Sequence, residues 1–188
     1  MINKEKKLAI FDFDGTLFNT EEVNYYAYKE AVEPFGGVIT KEYFLEKCYG
    51  RHYKTFVPEI LGGIEHLEEV HEAKKKLYAK YMDKVIINRH LFDVIEGIRD
   101  KYNIVMVTTA TRKNVFDMLT YFGLEETFDL ILSQEDIVNP KPDPEGFLKA
   151  MEICEAKPQD TVIYEDSDVG LAAAGATGAN VIKVEFIA

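Results

Sequence analysis

The sequence predicts an α/β protein: a doubly wound, Rossmann-like parallel sheet core with an inserted all-helical domain. Three observations predict it. Short strand-like runs rich in apolar residues recur at 8–11, 104–107, 130–132, 161–164 and 181–184, and the first of them is continuously apolar, as a strand buried on both faces would be. From Leu91 onward these runs alternate with segments of helical rhythm, the pattern of a parallel sheet with helices on both faces. Between about Thr20 and Lys84 that alternation stops, and helical periodicity prevails with no convincing strand. The expected division is a core of residues 1–16 and 88–188 and an insert of residues 17–87.

Leu8 to Phe11 is the first strand. In the insert, Glu21 to Phe35 carries Val23, Tyr26, Ala27, Ala31 and Phe35 at helical spacing, and Gly36-Gly37 ends it. Thr40 is placed to cap a second helix, with Tyr43 and Phe44 on its apolar side. Gly50, Pro58 and Gly62-Gly63 interrupt the pattern, and Glu65 to Tyr81 forms a long charged helix. Its lysines 74 to 76 are expected on a solvated face. In the core, helices are expected at Leu91–Lys101, Lys113–Phe122, Pro144–Ile153 and Val169–Ala174, with Asp143 as the N-cap of the third and Gly123 closing the second.

The composition bounds the function. Asp and Glu total 33 against 22 Lys and Arg, a formal charge of −11, which argues against a nucleic-acid partner held on a broad basic face. A small anionic substrate is still admissible, because a divalent cation and a placed lysine reverse the local field. The two cysteines, Cys48 and Cys154, fit no metal spacing and read as buried thiols of a reducing compartment. The polar, lysine-rich start and the short apolar run after it do not read as a signal peptide or membrane span. A cytoplasmic monomer, with no nucleic-acid or membrane partner, is the expectation.

Chemistry concentrates where the strands end. In an open parallel sheet, ligands bind beyond the carboxyl ends of the strands. Asp12 and Asp14 follow the first strand, and their spacing puts both side chains on one side of an extended chain. Alone, such a pair would serve equally well as a turn. Thr108 and Thr109 follow the run 104–107, and Glu165 and Asp166 follow the run 161–164. Lys141 lies between prolines in Asn139-Pro140-Lys141-Pro142-Asp143-Pro144, a loop too stiff to let it wander. Carboxylates suit Mg2+, hydroxyl and lysine suit a phosphate, and a carboxylate can be a nucleophile. Magnesium-assisted phosphoryl transfer fits all four groups.

The order Phe11-Asp12-Phe13-Asp14-Gly15-Thr16-Leu17, Val107-Thr108-Thr109, Lys141-Pro142-Asp143-Pro144 and Glu165-Asp166-Ser167 with Gly170 resembles the haloacid dehalogenase superfamily over nearly the whole chain. The helical insert resembles the branch that holds β-phosphoglucomutase and phosphoglycolate phosphatase. The resemblance implies that Asp12 attacks phosphorus and that Asp14 serves the leaving oxygen and then the water as acid and base. It implies Mg2+ held by Asp12, the Asp14 carbonyl and Asp166, with Glu165 helping directly or through water. Thr108 and Lys141 would grip the phosphoryl group, and Asp168 would cap the last helix.

The insert is expected to act as a cap that closes over the site. The chain would hinge near Thr16 to Thr20 and Lys84 to Arg89. Substrate-binding candidates are Thr109 in the core and Asn24, Gly50, Arg51, Lys54 and Lys74 in the insert. The family's Gly-x-x-Arg pattern meets Gly50 and Tyr53 here, and the mutase histidine position holds Asn24. Both departures favour a phosphatase of small phosphomonoesters over a phosphoglucomutase-type phosphotransferase, although Lys74, four before Tyr78, fits a mutase-like lysine. A receiver-like phospho-acceptor without turnover is a third reading.

Overall fold

A computed structural model describes residues 2–51 and 53–186 of the chain. In chain order the elements are β1 (Lys7–Phe11), β2 (Phe18–Asn19), α1 (Glu21–Val32), α2 (Lys41–Lys47), α3 (Tyr53–Leu61), α4 (Leu67–Lys80), β3 (Ile86–Ile87) and α5 (Arg89–Ile98). They continue as β4 (Tyr102–Val107), α6 (Arg112–Phe122), β5 (Leu130–Leu132), α7 (Glu145–Ile153), β6 (Thr161–Glu165), α8 (Asp168–Ala176) and β7 (Asn180–Lys183). The chain divides into two compact units. One runs through Asn19 and resumes at Ile86; the other is Thr20–Val85.

The first unit is a five-stranded parallel sheet in the order β5-β4-β1-β6-β7. β1 is central because every one of Leu8, Ala9, Ile10 and Phe11 is apolar and fully buried, so it tolerates neighbours on both edges and helices on both faces. Burying each of Leu8, Ile10 and Phe11 stabilises the fold by about 1.5–3 kcal/mol. Leu8 and Ile10 point to one face, where they pack with Val105, Val107 and Ile163, with Phe147, Ala150 and Met151 of α7, and with Ala173 and Ala174 of α8. The small side chains of α8 let it lie close to the sheet. The opposite face carries Ala9, Phe11, Ile104 and Met106, all buried, as are Leu91 and Ile95 of α5 and Val115, Met118 and Leu119 of α6.

A short ribbon that sequence periodicity does not signal closes the place where the chain leaves and re-enters this unit. β2 pairs antiparallel with β3, Phe18 opposite Ile87 and Asn19 opposite Ile86. Phe18 is buried against Phe92 and Phe122, ring centroids 5.7 and 5.5 Å away, so these four residues stay with the sheet. Two-residue strands carry no period to read.

The second unit packs α1 to α4 around its own core of Tyr25, Tyr28, Ala31, Val32, Ile39, Phe44, Cys48, Tyr53, Phe56, Val57 and Val70. Thr40 caps α2 through its side chain, accepting from the Tyr43 N–H, but Tyr43 is itself exposed while Phe44 faces inward. Pro58 does not break the helix as its type suggests; it sits inside α3. The neighbouring Phe56 and Val57 are buried, and their packing offsets the one helical hydrogen bond that a proline cannot donate. Lys74 also departs from expectation. It is 8% exposed, not solvated, with Nζ 5.2 Å from the ring centre of Tyr28 and 4.5 Å from that of Tyr78. Its place on the inward face of α4, one turn before the buried Tyr78, overrides the charge pattern of its neighbours.

Candidate active site

Asp12 is the first residue past β1, held in line by its N–H donating to the Tyr164 carbonyl of β6 at 3.0 Å. Gly15 turns the chain with φ +85°, and a Cβ there would stand 2.2 Å from Asp166 Oδ2. No other residue type fits that turn. Asp14 follows half-buried and bridges to Phe18, and the Thr16 hydroxyl donates to Asp166 Oδ1 at 2.8 Å. The strand end therefore delivers one carboxylate and orients a second that comes from β6.

Lys141 reaches the same spot from the loop before α7. Glu145, the first residue of α7, accepts from the Val138 and Asn139 N–H groups at 2.7 and 2.9 Å and from Asn139 Nδ2 at 2.8 Å. That clamp works with the prolines. α7 begins one residue later than its sequence suggests: Pro144 holds the N-cap place, and the Asp143 carboxylate accepts from the Glu145 N–H at 2.9 Å. The Lys141 side chain is 10% exposed, its Nζ 5.0 Å from the Phe147 ring centre. Nζ donates to Asp12 Oδ1 and, at 2.6 Å, to Glu165 Oε2.

Asp12, Glu165 and Asp166 offer oxygens that all lie within 4.8 Å of one another. Three carboxylates thus face one ammonium, an excess of two negative charges in a site from which water is mostly excluded. The electrostatics show the strain. Burial pushes the Asp12 carboxyl up, Lys141 pulls it back, Glu165 pushes it up again, and it ends well above the usual carboxylate range. Asp166 is raised to about 6, by burial first. Burial also opposes the Lys141 ammonium, but Asp12 and Glu165 outweigh it and hold the lysine above its ordinary value. A cluster of hard oxygens with uncompensated negative charge fits a divalent cation such as Mg2+.

The hydroxyl side of the site is at the end of β4. Thr108 is buried, its N–H donates to the Leu132 carbonyl at 2.9 Å, and its Oγ1 accepts from the Ala110 N–H at 3.0 Å. Its own O–H is left to donate. Thr109 is exposed and, with Val107, Ile137, Asn139, Lys141, Asp143, Gly146 and Phe147, lines an open pocket beside the lysine. The N-cap of α6 is Thr111, not the Thr108-Thr109 pair, which is therefore released from a capping role. Likewise Ser167, not Asp168, caps α8, its side chain accepting from the Gly170 N–H. Two contributors were not singled out by sequence: Thr16, which holds Asp166, and Ser167, which holds Glu165. Ser167 directly follows Glu165-Asp166 and Thr16 stands two residues after Asp14, and that nearness to the acids was the available signal.

The insert candidates are engaged within their own unit. Asn24 donates through Nδ2 to the Thr20 carbonyl at 2.9 Å. Arg51 makes a two-pronged ion pair with Glu59, at 2.7 and 3.2 Å, and also donates to the Lys47 carbonyl. Gly50 adopts φ +77° with open space where a side chain would be. Lys54 lies 5.8 Å from the Tyr53 ring centre, and Lys74 is buried between two tyrosines as described.

A family model described as haloacid dehalogenase-like hydrolase matches residues 9–184. The chain belongs to that family. As a haloacid dehalogenase-like hydrolase it is an enzyme, and its relatives are named for phosphate chemistry. A phosphorylated carbohydrates phosphatase of Thermotoga maritima is 28% identical over 178 residues, which cover 90% of this chain and 81% of the relative. The pyrophosphatase PpaX of Halalkalibacterium halodurans is 27% identical over 179 residues, 87% of this chain and 76% of that one. CbbY from Rhodobacter sphaeroides, solved in complex with phosphate, shares the fold with a TM-score of 0.85 at 24% identity, covering 97% of this chain and 87% of CbbY.

Proposed function

We propose that this hydrolase is a Mg2+-dependent phosphatase of small phosphomonoesters, a sugar phosphate or similar metabolite, working through an aspartyl phosphate. The observation that carries the reading is the buried cluster of Asp12, Glu165 and Asp166 around Lys141, with its uncompensated negative charge. Asp12 and Asp166 are the carboxylates that would hold Mg2+, joined in the family resemblance by the Asp14 carbonyl and Glu165. Bound there, the ion neutralises phosphate charge and lowers the repulsion between substrate and nucleophile.

In this reading an Asp12 carboxylate oxygen forms a bond to phosphorus as the ester P–O bond breaks. Asp14 gives its proton to the departing oxygen. Water then attacks phosphorus, Asp14 takes the proton back, and the Asp12–phosphorus bond breaks to release phosphate. Lys141 and the Thr108 hydroxyl bind the transferred oxygens throughout, and the lysine charge opposes the charge that builds on them. Choice among phosphomonoesters is assigned to the Thr20–Val85 unit, with Asn24, Gly50, Arg51, Lys54 and Lys74, and to Thr109. The Arg51–Glu59 pair makes Arg51 the weakest of these, because its guanidinium must first leave a partner. The names of the relatives, one a phosphorylated carbohydrates phosphatase and one a pyrophosphatase, support the same direction.

The test is a panel of phosphorylated metabolites assayed for inorganic phosphate with Mg2+ and with chelator. Release is expected with Mg2+, lost with chelator, and reduced on the order of 10^3-fold or more in Asp12→Asn. Full activity in Asp12→Asn would remove the nucleophile assignment. Isomerisation of a sugar monophosphate with a bisphosphate primer, and little phosphate, would replace this reading with the phosphotransferase one.

A further inference from the structure

Asp166 is oriented by the loop after β1. Its Oδ1 accepts from the Thr16 hydroxyl at 2.8 Å. Its Oδ2 lies over Gly15, where a Cβ would come within 2.2 Å of it. The loop is tied to itself on its inner side. The Leu17 and Phe18 N–H groups both donate to the Phe13 carbonyl at 3.1 Å, and the Gly15 N–H donates to the Phe18 carbonyl at 2.8 Å. Those bonds do not use the carbonyls of Thr16 and Leu17.

Both of these carbonyls are taken by Asn88, on the segment that returns the chain to the first unit. The Asn88 N–H donates to the Leu17 carbonyl at 2.9 Å, and its Nδ2 donates to the Thr16 carbonyl at 3.1 Å. Its Oδ1 accepts from the Leu91 N–H at 3.3 Å, in the first turn of α5. One end of the amide is thus anchored on a helix while the other grips the loop. Asparagine offers the acceptor and the donor that these two places need. An aspartate would set an oxygen against the Thr16 carbonyl. A serine would keep the helix cap, but its side chain is an atom shorter and falls short of that carbonyl.

We propose that Asn88 is a positioning residue of Asp166, acting through Thr16, and that a cation at Asp166 is thereby coupled to the return segment around Asn88. The proposal rests on the reading in which Asp166 holds Mg2+. Asn88 bonds to Thr16, and Thr16 bonds to Asp166, so the two act in series. Without the Asn88 amide the Thr16 hydroxyl is free to drift, and Asp166 drifts with it. Without the Thr16 hydroxyl, the amide no longer matters to the ion. The coupling is reciprocal: an ion that fixes Asp166 also stiffens the bonds made by Asn88.

The first readout is calorimetric binding of Mg2+ alone to the full chain. Thr16→Val, which deletes the hydroxyl, is expected to weaken Mg2+ about tenfold, and Thr16→Ser, which keeps it, about twofold or less. Asn88→Ser, which keeps the cap of α5, is expected to weaken Mg2+ about threefold. The double variant Asn88→Ser with Thr16→Val is expected to bind as Thr16→Val does and no more weakly. Losses that multiply to about thirtyfold would show two independent effects and overturn the proposal. So would wild-type affinity in Asn88→Ser. The second readout, hydrogen exchange of the wild type, does not depend on a variant folding. Mg2+ is expected to slow the Asn88 amide about threefold or more and to leave unchanged the Arg99 amide, which bonds to Ile95 at the far end of α5. Equal slowing at both, or none at Asn88, would overturn the coupling. A wild type that binds no Mg2+ would remove this proposal and the phosphatase reading together. Mg2+ bound without hydrolysis of any phosphomonoester would remove the phosphatase reading alone.

Discussion

Asp166 sits half-buried among like charges, and its proton affinity records that. Burial raises it most, the Thr16 hydroxyl pulls it down, Glu165 pushes it up and Lys141 pulls it down, with the outcome moved from 3.8 to about 6. A carboxyl raised in this way holds its proton more tightly in the folded chain than in the unfolded one. Its favourable contribution is therefore present in acid and is lost as pH rises from 3.8 through about 6. Asp12, also raised by burial, acts in the same sense. Mg2+ should relieve this loss only where the carboxylates are ionised. The rise in melting temperature on adding Mg2+ is expected to be larger at about pH 7.5 than at about pH 5. An equal rise at both would show that these acids do not meet the ion. The residue types of this site were legible in the sequence, since Asp12, Lys141 and Asp166 each follow a strand or sit in a stiff loop. Their pairing was not. Lys141 and Asp12 are 129 positions apart, and no local pattern says which oxygen a lysine will choose.

At the scale of elements, the place where the chain re-enters the first unit is tied down by Asn88. Its Oδ1 caps α5 by accepting from the Leu91 N–H at 3.3 Å, its Nδ2 donates to the Thr16 carbonyl at 3.1 Å, and its N–H donates to the Leu17 carbonyl at 2.9 Å. One side chain therefore starts a helix and ties the re-entering chain to the loop that carries Thr16 and, through it, Asp166. Asn88→Ala is expected to lower stability by about 1–2 kcal/mol, read as a shift in the denaturant midpoint. Asn88→Asp keeps the cap but loses the donor and should fall between. An Ala variant with the wild-type midpoint would show that the tie carries no stability. Helix and strand positions were largely readable here because their apolar periods are strong. β2 and β3 were not, because a pair of two-residue strands exists only through its partner. Pro58 and Lys74 misled for a related reason: packing of α3 and α4 onto the aromatic core around Tyr28 outweighs single-residue preference.

For the whole molecule, the sum of charges is a statement about partners. With a formal net charge of −11 and an isoelectric point near 4.9, the protein is expected to pass through immobilised duplex DNA or heparin unretained at about 0.1 M salt. Retention that falls with salt would reveal a basic surface that the totals conceal. Among the described residues no helix is long and apolar enough to cross a membrane. Both cysteines, Cys48 and Cys154, are free and buried, and burial holds the Cys154 thiol at about 11. By itself the sequence determined the alternation of strands and helices, the burial of the apolar run Leu8 to Phe11, and the set of groups that follow the strand ends. Each of these is written in local period and residue type. Only the tertiary structure decided that Glu165 turns to Lys141, that Thr16 and Ser167 hold the acids, and that Lys74 is buried. Hydrogen-bond partners and burial depend on distances between segments far apart in the chain, and those distances come into being only when the sheet assembles.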